Sequence, residues 1–265
     1  MTRLRALASF IGGAVIGTLG GLIGLGGAEF RLPLLIGAFR FAVLDAVILN
    51  KALSLVVVAA ALPFRAGAVP LDLVAANGTV ILNLLAGSLL GAWIGAGWAM
   101  RMDAARLHRV IALLLVLIAG ALLLGHGVAG GAAGGGGPPV DGLALVAAGT
   151  GAGLAIGVIA SILGVAGGEL LIPTLVLLFG VDVKLAGSLS LAISLPTMIA
   201  GFSRYARDRS LSVLGRNRGF VLLMAAGSLA GAFIGGRLLG IVPESVLLPV
   251  LSAILLLSAA KMWRH

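Results

Sequence analysis

The sequence predicts an all-α fold: a polytopic membrane helical bundle of two homologous halves, arranged as inverted repeats with interrupted, re-entrant first stretches. Three observations predict it. The 265 residues are 60% hydrophobic and 10% charged, with a mean hydropathy of +1.21. A soluble domain carries about a quarter charged residues, and this chain has too little polar surface to coat one. Apolar runs long enough to span a bilayer recur along the whole chain. The chain also matches itself without a gap at one fixed offset, the one that carries Glu29 onto Glu169.

The elements follow in order. Met1–Phe10, with Arg3 and Arg5, imitates the head of a signal peptide. The apolar stretch behind it lacks a small-residue cleavage site and is read as retained. That stretch, Leu7–Phe39, is interrupted by Gly24-Leu25-Gly26-Gly27-Ala28-Glu29. Three apolar segments follow, near Leu44–Leu62, Leu73–Met100 and Leu107–Leu124. A Gly-rich run ending in Pro138-Pro139 reads as a linker over 125–141. The plan then repeats. Leu143–Phe179 is interrupted by Gly164-Val165-Ala166-Gly167-Gly168-Glu169, and segments follow near Leu185–Phe202, Phe220–Leu239 and Val246–Met262. The membrane repeats are therefore 1–124 and 142–265. Pro33 falls on Pro173, Ser54 on Ser194, Asn77 on Asn217, and Gly87-Ser88-Leu89 on Gly227-Ser228-Leu229. Roughly 30 of about 110 aligned positions are identical, and the polar identities weigh most because membrane composition alone does not produce them.

Each interrupted stretch is too long for one straight span. It either crosses once with a kink or enters and returns as a hairpin, which is allowed where backbone lines a cavity. The cations separate the two. With hairpins, the copies are inverted, and one side receives Arg3, Arg5, Arg40, Arg101, Arg106, Arg109, Arg204, Arg207, Arg209, Arg216, Arg218, Lys261 and Arg264, while the other receives Arg65 and Lys184. With single crossings, Arg40, Arg101, Arg106, Arg109 and Lys184 all move outside. The split of about 13 to 2 against about 10 to 5 favours inversion, because cytoplasmic loops collect Lys and Arg.

Inverted repeats with broken helices form binding sites near the bilayer midplane. After each break a short helix is expected to begin near Ala28 or Gly168 and run past the proline. Its first N–H groups lack acceptors and carry the positive end of the dipole, which favours an anion. The candidate anion-binding residues are Gly24, Gly26, Gly27 and Ala28 with Gly164, Gly167 and Gly168, joined by Asn50, Lys51, Ser54, Ser188, Ser190 and Ser194 early in the following segments. Glycine lets a ligand approach the backbone, and the hydroxyl and amide groups can donate to oxyanions. The same polar side chains serve equally well as interhelical hydrogen bonds. Glu29 and Glu169 are costly at membrane depth and occur in both copies. They are proton-coupling candidates, or else they cap the short helices. Arg31 and Lys51 occur in copy one only, opposite Leu171 and Leu191. Arg31 pairs with Glu29, snorkels or meets substrate; Lys51 meets substrate or pairs with an acid such as Asp45. The Gly87/Gly91/Gly95 and Gly227/Gly231/Gly235 ladders read as helix packing, Asn77 and Asn217 as structural, and Trp93, Trp98 and Trp263 as interfacial anchors.

Other classes find little support. Cysteine is absent, so disulfides, thiol catalysis and Cys-ligated metals are excluded. His108, His126 and His265 have no ligand-spaced partner, and neither a metal nor a cofactor is called for. The formal charge of +9 sits at helix ends, which points to lipid headgroups rather than nucleic acid. No nucleophile–base pair or phosphate loop suggests an enzyme.

The doubled break followed by a proline and an apolar helix resembles the sulfite exporter TauE/SafE family. The carriers are Gly24-Leu25-Gly26-Gly27-Ala28-Glu29-Phe30-Arg31-Leu32-Pro33 and Gly164-Val165-Ala166-Gly167-Gly168-Glu169-Leu170-Leu171-Ile172-Pro173, with the polar patch at Asn50-Lys51 and Ser188–Ser194. The resemblance covers nearly the whole chain. It departs at Ala28 and Ala166, which replace glycines of the family's fullest run, and at Arg31, which has no counterpart in copy two. The resemblance implies a multi-pass permease of the bacterial inner membrane with about eight segments, exporting sulfite, sulfoacetate or other organosulfonates. The partners expected are a small anion and membrane lipids, with room for a homo-oligomer. A channel-like anion uniporter and a membrane subunit of a larger complex stand as alternatives.

Overall fold

The computed structural model describes residues 3–24, 26–107, 109–111, 113–114, 141–206 and 210–238. The linker proposed at 125–141 lies outside them except for Asp141. So do most of Leu107–Leu124, all of Val246–Met262, the three histidines, Trp263, Arg207, Arg209, Lys261 and Arg264.

Ten helices hold most of the described residues. Copy one contributes α1 (Arg3–Ile23), α2 (Ala28–Pro33) with a π-helical continuation over Leu34–Ala38, α3 (Val43–Arg65), α4 (Leu71–Ala76) and α5 (Gly78–Arg101). Copy two contributes α6 (Gly142–Leu163), α7 (Gly168–Phe179), α8 (Val183–Ala206), α9 (Ser210–Arg216) and α10 (Arg218–Leu238). Six of these carry apolar spans of 20–24 residues, enough to cross a membrane. The segment expected over Leu73–Met100 divides at Asn77, whose amide Nδ2 donates to Leu73 O at 2.8 Å and closes α4. Asn217 does the same for α9 through Val213 O at 2.9 Å, so both asparagines are structural.

Both interrupted stretches are hairpins. Gly24 ends α1, and the chain turns back along it. A Cβ on Gly27 would lie 2.5 Å from Ile16 O, a Cβ on Gly12 would lie 3.1 Å from Leu34, and Arg5 reaches Phe39 O at 3.3 Å. In copy two, Gly167 lies beside Ile156 and Ala160, and Phe179 beside Gly149. Gly164 closes α6 in a left-handed conformation, with Val165 N donating to Ala160 O at 2.9 Å, the reach expected of a Schellman motif. Both returning helices carry a proline, but only copy one relaxes into a π turn, where Gly37 takes the place that Leu177 holds in copy two.

The copies are inverted. α3 and α8 occupy matching positions in the repeat and run antiparallel: Lys51 lies beside Gly201, while Arg65 reaches Lys184 and Ser188. The copies are also interlocked. α1 packs along α10, and α5 along α6, each pair parallel and meeting through glycines. Gly13, Gly17 and Gly21 face the backbone of Met224, Ser228 and Ala232; Gly227, Gly231 and Gly235 face Phe10, Ala14 and Thr18. The second pair repeats this at the equivalent positions, with Gly87, Gly91 and Gly95 on Thr150, Leu154 and Val158, and Gly153 and Gly157 on Leu84 and Ser88. Small residues let the backbones close to van der Waals contact, the main attraction between helices in lipid.

Arg3, Arg5, Arg40, Arg101, Arg204, Arg216 and Arg218 gather at the end of the bundle where α1 starts, and Phe220 of α10 packs edge-on against Phe39 and Phe41 there. Lys184 lies at the other end with Arg237 in the last turn of α10, a cation outside the sequence-based count.

Candidate functional site

The hairpin tips are built from glycines in the left-handed region: Gly24, Gly26 and Gly27 at φ 90°, 80° and 68°, and Gly164 and Gly167 at 67° and 82°. For other residues that region costs about 1–2 kcal/mol. Each tip rests on the long helix of the opposite copy. A Cβ on Gly24 would lie 2.8 Å from Gly187 O of α8, and one on Gly164 would lie 2.5 Å from Val47 O of α3, which is the same contact at the repeat-related positions. The tips also meet each other. A Cβ on Gly26 would lie 3.6 Å from that of Ala166, its own counterpart, so the pseudo-twofold axis passes between them. Gly27 and Gly167 then cap α2 and α7, which start at Ala28 and Gly168 as expected and run through Pro33 and Pro173.

The structure brings the predicted polar residues to these tips. It directs several of their donors at the backbone. Asn50 Nδ2 donates to Ala28 O at 3.0 Å, Ser194 Oγ to Ala166 O at 2.7 Å, and the single proton of Ser190 Oγ is within reach of Gly24 O at 3.1 Å and Gly187 O at 2.9 Å. Gly24 O and Ala166 O lie in the breaks, outside the helices, and an unpaired carbonyl in hydrocarbon costs several kcal/mol, so Ser190 and Ser194 compensate the breaks. Among the described residues, the buried Asn50 Oδ1 accepts no hydrogen bond. Ser54 and Ser188 are acceptors from arginines.

Three cations are buried around the tips. Arg31, fully buried on α2, donates to Ser54 Oγ at 2.9 Å and Ser228 Oγ at 3.4 Å, so it does not snorkel to the surface. Lys51, on α3, donates to Ser161 Oγ at 3.0 Å. Asp45, one acid offered as an alternative partner for it, lies 3.8 Å from Arg216. Arg65, counted among the outside cations, turns inward at the end of α3 and is 1% exposed. It donates through Nη1 to Gly21 O at 3.2 Å and Leu22 O at 3.1 Å, through Nη2 to Lys184 O at 3.0 Å, and through Nε to Ser188 Oγ at 3.2 Å. It thereby satisfies the last carbonyls of α1, where a helix end attracts a cation. Glu169 is buried in the first turn of α7, where the dipole favours a carboxylate. The side chain of Glu29 lies outside the described part of the structure.

Sequence reasoning missed Arg65, Ser161, Gly201, Ser228 and the Ser88–Thr197 hydroxyl pair at 2.7 Å. Their partners come from the other half of the chain, and no local spacing announces them. The glycine ladders serve packing, as expected. Trp93, stacked by Arg204 at 4.9 Å, and Trp98, 53% exposed, sit on the outer surface of the bundle.

Two broken-helix hairpins that meet inside an inverted duplication, ringed by buried cations and hydroxyls, have the architecture of a membrane transporter. A family model described as Sulfite exporter TauE/SafE matches residues 1–122 and again residues 123–262, and the chain belongs to that family. Its two matches agree with two homologous halves. No curated protein and no solved structure matches the chain. The chain is thus a multi-pass membrane protein from a family of transporters of sulfur anions.

Proposed function

We propose that this permease exports a small sulfur oxyanion or organosulfonate, of the sulfite or sulfoacetate type, across the bacterial inner membrane. The observation that carries the reading is the burial of Arg31 and Lys51 around the two tips. Charges in a membrane interior are costly and mark ion pathways. A bound anion about 4 Å from one of them recovers on the order of 4 kcal/mol at an effective dielectric of about 20. The backbone at Gly24, Gly26, Gly27, Ala28, Gly164, Gly167 and Gly168 would form the anion's bed, with Asn50, Lys51, Ser54, Ser188, Ser190 and Ser194 around it. Glu29 and Glu169 are the proton-coupling candidates, since a protonated carboxyl no longer repels the anion. The arginine-rich end faces the cytoplasm by the positive-inside rule, and residues 125–141 link the repeats.

The test is flux in proteoliposomes across sulfite, a two-carbon sulfonate, a carboxylate and chloride. Preference for the sulfur oxyanions, with accumulation driven by a proton gradient, is the expected result. Equal passage of chloride and carboxylate would refute the substrate class. Flux that never exceeds the anion's own gradient would favour a channel-like uniporter.

A further inference from the structure

Because the halves align in sequence, each contact in one has a counterpart position in the other. Differences between counterparts show what one half alone is built to do. One such difference in the core lies at Lys51. Its side chain leaves α3 and crosses into copy two, where Nζ donates to Ser161 Oγ at 3.0 Å in the last turn of α6. Gly201 of α8 supplies the space: a Cβ there would lie 2.6 Å from Lys51 Nζ and 2.6 Å from Ser161 Oγ. Lys51 and Ser161 are both buried.

The repeat-related counterparts of Lys51, Ser161 and Gly201 are Leu191, Gly21 and Ala61. There Leu191 packs in one apolar cluster with Ala61. Cation, acceptor and vacated space therefore occur together at one of the two pseudo-symmetric positions, and none of the three occurs at the other. The three features fit one another, since a methyl at position 201 would displace the ends of both Lys51 and Ser161. An alanine there would push the ammonium from its seat, and a buried ammonium without a hydroxyl acceptor would forfeit a charge-assisted hydrogen bond.

We propose that Ser161 and Gly201 are positioning residues of the anion site, which together seat the Lys51 ammonium off the pseudo-twofold axis, on the copy-two side, to receive a small oxyanion. The inference rests on the permease reading above and deepens it. Two symmetric halves then give one asymmetric anion site rather than two equal ones. Ser161 acts by fixing Nζ, and Gly201 by leaving it room; neither needs to touch the substrate.

The experiment uses the full chain in proteoliposomes, with initial sulfite flux measured against concentration. Gly201→Ala should raise KM roughly tenfold and leave the maximal rate within about twofold of the parent, the split expected for lost binding of a charge. Ser161→Ala should raise KM severalfold while the variant stays folded. Neither should add to the effect of Lys51→Met, because all three act through one ammonium. Should Gly201→Ala fail to fold, Ser161→Ala alone and combined with Lys51→Met decides the matter. Parental KM in the folded variants, or KM effects that multiply with Lys51→Met, would overturn the inference while leaving the permease reading intact. Absence of anion flux in the parent chain would sink both.

Discussion

Arg65→Leu should unfasten the copy-one hairpin. The side chain is 1% exposed and makes four hydrogen bonds, three of them to backbone carbonyls at Gly21, Leu22 and Lys184. Leucine fills part of the volume but leaves all three carbonyls without that donor. Interhelical bonds in membranes average about 0.6 kcal/mol, and bonds to charged groups start at about 1.5, so four of them come to at least about 2–6 kcal/mol. The loss falls where the end of α1, the end of α3 and the start of α8 join, at the end of the bundle opposite Arg3. Two measurements follow. Thermal unfolding in detergent should shift down by several degrees or more. The chain has no native cysteine, so a single Leu22→Cys reports on access. Leu22 is 5% exposed, and its cysteine should react slowly in the parent and faster in the Arg65→Leu background. Arg65→Lys should rescue only partly, since an ammonium cannot reproduce the guanidinium fork. An unchanged melting temperature together with an unchanged labelling rate would refute the assignment of Arg65 as a buried fastening.

Three further outcomes are expected. Gly17→Ala should sharply reduce folded yield on size-exclusion chromatography, because its methyl would fall on the Ser228 backbone, whereas Gly151→Ala, with nothing within 4 Å, should be neutral or stabilising by up to about 1 kcal/mol. Glu169→Gln and Glu29→Gln should each impair flux or its pH dependence while membrane insertion stays intact; pH-dependent flux like the parent's in both would discard the coupling role. Cysteines placed at Arg106 and Asp182 should label from opposite faces of an oriented membrane, and labelling from one shared face would contradict the inverted layout.

The duplication, the hairpins and the starts of α2 and α7 were legible because they leave local marks: glycine beside glycine, a carboxylate, then a proline, twice. Inversion was legible through charge, since arginines record which ends share a membrane face. What each polar side chain touches was not. Ser190 and Ser194 read as donors to an oxyanion and instead hold carbonyls of the breaks, because the break that exposes N–H groups also strands C=O groups close by, while Asn50 holds the first carbonyl of α2. Arg65 read as a surface charge, since it follows an apolar run and Pro63. Its burial depends on Lys184 and Ser188, supplied by a helix of the other copy. Arg31 likewise finds Ser228 in α10, at a separation of 197 residues that no periodicity reports.

The interlocking of the halves imposes an order of assembly. The glycine face of α1 is shaped for α10, and Arg31 reaches Ser228 on that same helix. Gly17 leaves the ribosome roughly 200 residues before Ser228, which at about 5–20 residues per second is a wait of about 10–40 seconds. The α5–α6 seam, whose partners lie only about 60 residues apart, has no comparable delay. Copy one therefore enters the bilayer with a small-residue groove against lipid and a buried arginine still awaiting one of its acceptors, and both are resolved by a helix made late in synthesis. A nascent chain stalled before α10 should be the most vulnerable to membrane proteases, and the first half produced alone should not persist.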